Sequence, residues 1–275
     1  MSGKIKFQNE KLEQVVNLYK NGMTLKELAT KFNCGKDAIR SAMNRAGVET
    51  RTGYERTYNV NDNYFETIDT EDKAYWLGFI VTDGCVANNN TKDKKEINCL
   101  IIHLKGSDIK HLEKFKNNIN FDGPVKINNS NGGSVYLTIS SKKMCDDLAK
   151  YGVVRNKTGK CYKSNLIPEH LEKHFWRGCI DGDGTISQSK LNNLTIGLVG
   201  NKDLVFDFVN YANKCGVVIN PYKDNRNWSF EFFNGYCHGE KAFKLSKILY
   251  ENASVYLDRK FECYELFTNK FDWLL

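Results

Sequence analysis

Two acidic residues stand out by what surrounds them. Asp83 precedes the last glycine of AYWLGFIVTDG (residues 74–84), and Asp183 precedes the last glycine of FWRGCIDGDG (residues 175–184). Each stretch is a mostly apolar run ending in Asp-Gly, and 100 positions separate the two aspartates. The sequence between them does not match, which points to a duplicated domain rather than a tandem array. A carboxylate at a helix C-terminus faces the negative end of that helix, and two such carboxylates brought together also repel. A divalent metal would resolve both problems, because hard cations take oxygen ligands. The chemistry such a site permits is attack of water on phosphorus with in-line displacement. Asp-Gly alone is a common turn signal. The matched pair carries the reading.

The elements that would position these acids are two helices. Thr70-Glu71-Asp72 opens the first with an N-cap threonine and two acids where the helix dipole favours them. Pro168-Glu169 opens the second, with proline in a position a first turn tolerates. Gly84 and Gly184 stand where a helix ends in left-handed backbone. Gly78 and Thr82 are four apart, as are Gly178 and Gly182, so each helix carries a face of small residues. Such faces let two backbones approach. Trp76, Phe79 and Ile80 on one helix, and Trp176, Cys179 and Ile180 on the other, would then pack outwards into separate cores.

These stretches resemble the two motifs of the LAGLIDADG homing endonucleases in their single-chain, two-repeat form. The resemblance covers roughly residues 66 to 275. It implies an α+β fold of two pseudo-symmetric repeats whose antiparallel sheets form a saddle over double-stranded DNA. It also implies a metal site at the base of the helix pair, holding Mg2+ or Mn2+. The acid before the last glycine is catalytic in that family, which maps onto Asp83 and Asp183. The backbone carbonyl just before it often binds metal too, which maps onto Thr82 and Gly182. A basic residue after each repeat's final helix approaches the site in that family and acts in catalysis, stabilising charge on the phosphate or positioning water, which maps onto Lys157 in GVVRNKTGK and Lys260 in YLDRKF. The pattern is broken at Val81, where the second motif keeps Asp181; that position is not the usual metal ligand. The implied activity is a site-specific double-strand break in a long asymmetric DNA site, leaving short 3′ overhangs. With both repeats in one chain, a monomer suffices.

The rest of the chain is read around this frame. Residues 1–50 are expected to form a small all-α domain, 51–69 a linker, 70–158 the first repeat and 159–275 the second. Of the net charge of +7, +5 lies in residues 1–56. A basic module suggests a polyanionic partner. Leu12, Val15, Val16 and Tyr19, then Leu25, Leu28, Ala29 and Phe32, then Ile39, Ala42, Met43 and Ala46 fall at helical spacing. Three short helices with a tight turn at Asn33-Cys34-Gly35 resemble a helix-turn-helix. Its third helix presents Lys36, Arg40, Ser41, Asn44 and Arg45, side chains able to reach phosphates and base edges in a major groove. In the linker, Arg51 and Arg56 interleave with Tyr54 and Tyr58, suiting either a segment lying along DNA or a tether packed on its own protein.

Within the repeats, strands are expected at 85–90, 96–104, 125–128 and 134–140, and at 194–199, 218–222 and 228–233. Asn88-Asn89-Asn90 reads as a turn, and Ile97, Cys99, Ile101 and His103 share one side of a strand. Helices are expected at 107–119, 142–151, 202–214 and 239–250. With helices on one sheet face, Lys105, Lys126, Lys190, Lys223 and Arg226 on the other would track phosphates.

Composition excludes other classes. Hydrophobic residues make 41% and charged residues 27% of the chain, ordinary globular usage. No apolar run reaches the length of a membrane span. The opening MSGKIKFQNEKLEQ lacks the apolar core of a signal peptide, so a cytoplasmic protein, placed wherever its target DNA is, is expected. Nine dispersed cysteines without Cys-x-x-Cys read as reduced thiols. His170 and His174 read as an exposed helix face rather than a zinc pair. Two further functions stay open: a DNA-binding regulator that keeps the fold without cutting, and an RNA-splicing maturase.

Overall fold

The chain divides into two compact units, Met1–Asn59 with Phe121–Gly123, and Val60–Asn120 with Pro124–Leu275. The computed structural model describes residues 7, 10–21, 23–50, 58–90, 96–128, 133–188, 193–226 and 230–271. Arg51, Arg56 and Lys190 lie outside the described residues.

In the N-terminal unit, three amphipathic segments form α1 (Glu10–Lys20), α2 (Leu25–Lys31) and α3 (Lys36–Arg45). Each is too short to be stable alone in water. Val15, Tyr19, Leu28, Ala29, Ile39, Ala42 and Met43 bury together and supply that stability. Thr24 starts α2 with a reciprocal capping box: its hydroxyl accepts from the Glu27 N–H, and the Glu27 carboxylate accepts from the Thr24 N–H. Asn33 at φ 48° turns the chain into α3.

The C-terminal unit repeats one plan. In the first half, α4 (Glu71–Asp83) leads into strands β1 (Gly84–Asn90) and β2 (Glu96–Lys105), helix α5 (Ile109–Asn118), strands β3 (Lys126–Asn128) and β4 (Ser134–Ser140), and helix α6 (Lys142–Lys150). In the second half, α7 (Glu172–Gly182) leads into β5 (Thr185–Gln188), β6 (Leu194–Gly200), α8 (Lys202–Lys214), β7 (Tyr222–Lys223), β8 (Phe233–His238), α9 (Gly239–Tyr250) and α10 (Asp258–Phe271). The strand orders are β1-β2-β4-β3 and β5-β6-β8-β7, with every pairing antiparallel. Period-two burial fixes the covered face. Val135, Leu137 and Ile139 on β4, with Leu100, Ile102 and Leu104 on β2, are buried, as are Leu194, Ile196 and Leu198 on β6. His103, Lys105 and Lys126 on the other face are exposed.

Cys99, Ile101 and His103 share one side of β2, as expected, and Leu100, Ile102 and Leu104 share the covered one. Several expectations are corrected. Residues 88–90 continue β1 and do not turn, since Asn88 to Asn90 pair with Asn98 to Glu96. In the second half, extended pairing near 218–222 shrinks to Tyr222–Lys223, and the main strand lies at Phe233–His238; of the strand expected at 228–233, residues 228 and 229 lie outside the described residues and 230–232 are not strand. The expected linker reaches into the core at its end: Tyr64, Phe65 and Ile68 are buried, and the Phe65 ring lies 6.5 Å from that of Phe115. Neither Gly84 nor Gly184 takes positive φ. They are glycines because a Cβ would stand 2.6 Å from side-chain or backbone carbon of Ile80 and Ile180, one turn back in the preceding helix. The chain leaves each helix without room for a side chain.

No helix among the described residues is long and apolar enough to cross a membrane. All nine cysteines are free thiols.

Candidate functional site

The helix pair α4–α7 is built by the small residues. A Cβ on Gly78 would stand 2.0 Å from the Phe175 carbonyl oxygen, and one on Gly178 2.0 Å from the Tyr75 carbonyl oxygen. A Cβ on Gly182 would stand 2.0 Å from the Thr82 hydroxyl. The two backbones are therefore in contact along their facing sides, and the helices end side by side. Trp76 and Phe79 pack outwards against His111 and Phe115 of α5, while Trp176 packs against Phe208 of α8. Cys179 does not point outwards as expected. Its thiol donates to the Gly78 carbonyl at 3.4 Å, across the crossing, because the neighbouring glycine leaves the gap it fills.

Asp83 is the last residue of α4, and Asp183 caps α7. The structure thus brings together the two acids that the sequence singles out. Burial, then the Asp183 carboxylate beside it, push the Asp83 carboxyl up to about 6; Lys260, Lys157 and Arg259 pull the other way. Asp183 is exposed. Among the described residues no group of three or more His, Cys, Asp or Glu gathers here or elsewhere to hold a metal ion. The donors available are two carboxylates and the carbonyl oxygens at the helix ends. That is a hard oxygen set, and it fits magnesium or manganese provided that other oxygens complete the shell.

The two lysines meet the same helix ends. Lys157, in the loop after α6, donates through Nζ to the carbonyls of Val81 and Thr82, both at 2.7 Å. Lys260 donates to those of Ile180 (2.5 Å), Asp181 (2.9 Å), Gly182 (3.3 Å) and Gly184 (2.8 Å). Both cations satisfy orphan carbonyls and oppose the negative end of a helix dipole. Lys260 is buried, and desolvation lowers its ammonium to about 8. It does not follow the final helix, as expected. It lies in the first turn of α10, a further helix.

Around the second acid lies a network that the sequence did not reveal. The fully buried Asp181 accepts from the Tyr75 hydroxyl (2.6 Å), the Tyr250 hydroxyl (2.6 Å) and the Leu257 N–H (2.7 Å). Burial still pushes its carboxyl up. Because the single Tyr75 proton goes to Asp181, His111 Nε2, 3.1 Å from the same hydroxyl, is the donor there. Arg177, also buried, donates to the Val255 and Leu249 carbonyls and to Glu71 at the start of α4, and its guanidinium lies 5.3 Å from the Tyr75 ring. His174 is buried against Arg177, 3.0 Å from its Nη1, and not on an exposed face; of this pair His170 alone is exposed. The signal within the sequence was Asp181 itself, an acid directly after the uncharged Gly178-Cys179-Ile180 of the motif.

In the N-terminal unit, Lys36, Arg40, Ser41, Asn44 and Arg45 are all exposed on α3. Arg40 forms an ion pair with Asp37 at 3.1 Å, and Arg45 donates to the Phe7 carbonyl at 3.4 Å. Beside β7 in the second half, Arg226 pairs with Asp224 and Lys223 with Glu231.

By sequence, no family model matches this chain and no curated protein matches it. By fold it is similar to solved LAGLIDADG homing endonucleases. One is the I-LtrWI LAGLIDADG homing endonuclease bound to target DNA, at 13% identity over 78% of this chain and 91% of that one, with a TM-score of 0.50. Another is I-DmoI in complex with DNA and Ca, at 16% identity over 75% of this chain and 98% of that one, with a TM-score of 0.50. The chain has the LAGLIDADG homing endonuclease fold.

Proposed function

We propose that the chain is a homing-type DNA endonuclease that makes a metal-dependent double-strand break in a long, asymmetric duplex site. The observation that carries this reading is the pair of aspartates at the adjoining ends of α4 and α7, one of them held near pH 6 by burial and by the other. Asp83 and Asp183, with the carbonyls of Thr82 and Gly182, would hold Mg2+ or Mn2+. When bound, the ion would supply charge stabilisation to an in-line displacement at phosphorus. The chain's own residues do the rest. The two carboxylates fix where a cation and a phosphate can meet, and the glycine crossing fixes the carboxylates. Lys157 and Lys260 neutralise the helix ends so that anions are tolerated there.

The uncovered sheet faces, with Lys105, Lys126, Lys223 and Arg226, would lie on double-stranded DNA. The N-terminal helices would add contacts through Lys36, Arg40, Ser41, Asn44 and Arg45 as a helix-turn-helix, and Arg51 and Arg56 would add charge between. One chain supplies both repeats, so it would act as a monomer. Both solved structures named above hold DNA, and one also holds Ca.

The test is selection of bound duplexes from a random pool, followed by incubation of the selected site, in supercoiled plasmid, with magnesium or manganese. Linear product in metal, and none with chelator, is the expected result. Tight binding without cutting in either metal would leave a DNA-binding regulator instead.

A further inference from the structure

The uncovered face of the second sheet carries a guanidinium in a fixed setting. Thr195, Gly197 and Val199 on β6 alternate with the buried Leu194, Ile196 and Leu198, and they pair with His238, Tyr236 and Asn234 on β8. Tyr222 on β7 pairs with Asn234. Directly paired residues share a face, so Tyr222, Asn234 and Tyr236 lie on the uncovered one. Gly197 makes room there for the Tyr236 ring, since a Cβ would stand 2.2 Å from its Cδ1. Asp224 comes two residues after Tyr222, which returns it to the same face, and its N–H donates to the Phe232 carbonyl at 2.8 Å.

Arg226 closes on that acid. Asp224 Oδ1 accepts from the Arg226 backbone N–H at 2.9 Å and from Nε at 3.0 Å; Oδ2 accepts from Nε at 3.0 Å and from Nη2 at 2.5 Å. The side chain of the acid is 6% exposed and that of the arginine 65%. The carboxylate therefore lies beneath and fixes the plane of the guanidinium, whose Nη1–Nη2 end points away from it. Arg226, and after it Asn234, hold the Asp224 carboxyl well below the usual carboxylate range. Asp224 first, then the nearby phenols of Tyr236 and Tyr222, push the guanidinium up.

We propose that Arg226 is a specificity-determining residue that reads a guanine in the major groove, with Asp224 as the positioning residue that aims it. This rests on the DNA reading given above. Two features separate the role from that of a phosphate contact. The pair is neutral as a whole, so it attracts a polyanion weakly and releases few counterions. Its geometry is set in advance, which is what reading a base edge requires. Guanine presents two acceptors, N7 and O6, on one edge, and two parallel N–H groups match them. Adenine presents an acceptor and a donor there, so its amino group would face an N–H. Lys126, on the uncovered face of the first sheet, is the contrast. Its ammonium stands 5.7 Å from the centre of the Tyr136 ring on a flexible stem, a point charge that suits a phosphate and no particular base.

The test uses the full chain and the duplex it selects from a random pool in calcium. Binding of that duplex and of its single-base variants, with the salt dependence, is measured for wild type, Arg226→Ala, Arg226→Lys and Asp224→Asn. Wild type should prefer guanine at one base pair by about 10- to 100-fold. Arg226→Ala should cut that preference to under ~3-fold at that base pair alone, with the salt slope changed by under ~0.5. Arg226→Lys should lose most of it too, because an ammonium has no fork. Asp224→Asn should weaken the same preference without weakening binding to the other bases there. Arg226 is exposed, so its two variants decide even if Asp224→Asn does not fold. Uniform weakening of all duplexes by Arg226→Ala, with a salt slope lower by about one, would make it a phosphate contact and overturn the proposal. An unchanged base profile for both Arg226 variants would overturn it as well. Loss of the preference in a protein that never cuts would support this role while removing the endonuclease reading, so the two fail separately. A wild type that selects no duplex would remove both.

Discussion

The two motif helices end alike in backbone and unlike in support. At the end of α4, position 81 is valine, and the local polar contacts include the two Lys157 hydrogen bonds, a Cys161 thiol donating to the Val81 carbonyl at 3.3 Å and the Thr82 hydroxyl donating back to the Phe79 carbonyl at 3.0 Å. At the end of α7, position 181 is an aspartate bound by two tyrosines and a backbone N–H, with Lys260 on four carbonyls beside it. One of those tyrosines, Tyr75, belongs to α4, so the second end is also bolted to the first helix. Burial makes such a network costly to break, since removing one partner strands the others. The comparison teaches that near-symmetry of the fold does not give symmetry of the site: the second acid stands on a framework of hydrogen bonds, the first largely on apolar packing.

The largest change should come from the crossing that both ends share. Gly178→Ala places a methyl 2.0 Å from the Tyr75 carbonyl oxygen, and the backbone cannot yield as a side chain would. Loss of ~3 kcal/mol or more is expected, and Gly178→Leu should not fold. Cys179→Leu also meets the facing helix, so it should cost ~1–3 kcal/mol. Melting curves of the three variants check the order; equal values would place the crossing elsewhere.

Asp181→Val copies the first end into the second. It leaves two tyrosine hydroxyls and the Leu257 N–H without their acceptor, and ~3–5 kcal/mol should be lost. Adding Tyr75→Phe should recover part of that loss, because one stranded donor disappears; denaturant unfolding of the double-mutant cycle reads the coupling. Full additivity would mean that the network is not a unit.

The pH dependence sharpens the comparison at the first end. The folded pKa of Asp83 is raised to about 6, so the folded state holds its proton more tightly than the unfolded chain does. Without metal, its contribution favours the fold below pH ~4 and is lost as pH rises through ~6, a change of roughly 2–3 kcal/mol. The difference in stability between wild type and Asp83→Asn should follow that window. A divalent ion competes with the same proton, so its apparent affinity should fall about tenfold per pH unit below 6 and level off above. Calcium titrations from pH 5 to 8 would read the slope; a flat profile would remove Asp83 from the ligand set.

The smallest effect concerns the N-terminal unit. Starting the chain at Tyr58 keeps the hydrogen bonds of Asn59 to Asp122 and removes most of the excess positive charge. The shortened protein should fold, bind DNA more weakly and show a salt slope lower by several units. An unchanged slope would exclude α3 from DNA.

How far the sequence carried this depends on distance along the chain. The motif helices were legible because their small faces and apolar flanks are local patterns. Helices α8 and α9 were legible for the same reason. Strand β8 was not: FNGYCH holds Asn234 and Gly235, poor strand formers. Gly235 is there for packing, since a Cβ would press at 3.1 Å on Val205 and Val209 of α8. Of the Asp181 network only the acid itself showed in the sequence; its partners could not be read, because the hydroxyls lie 106 and 69 residues away and nothing local announces them. The place of Lys260 was guessed, but not its helix or its burial, which come from α10 packing its aromatic residues against Tyr250.

The central claim is that Asp83 and Asp183 are the metal-holding acids of a DNA endonuclease. The most direct measurement is cleavage of the selected supercoiled site by wild type, Asp83→Asn and Asp183→Asn in magnesium, with binding of the same duplex measured in calcium. Each substitution keeps the shape and removes one anionic ligand. The account predicts that either variant loses double-strand cleavage by about 1000-fold or more, with residual nicking confined to one strand and different for the two, while the duplex stays bound. Full cleavage by either variant would contradict it.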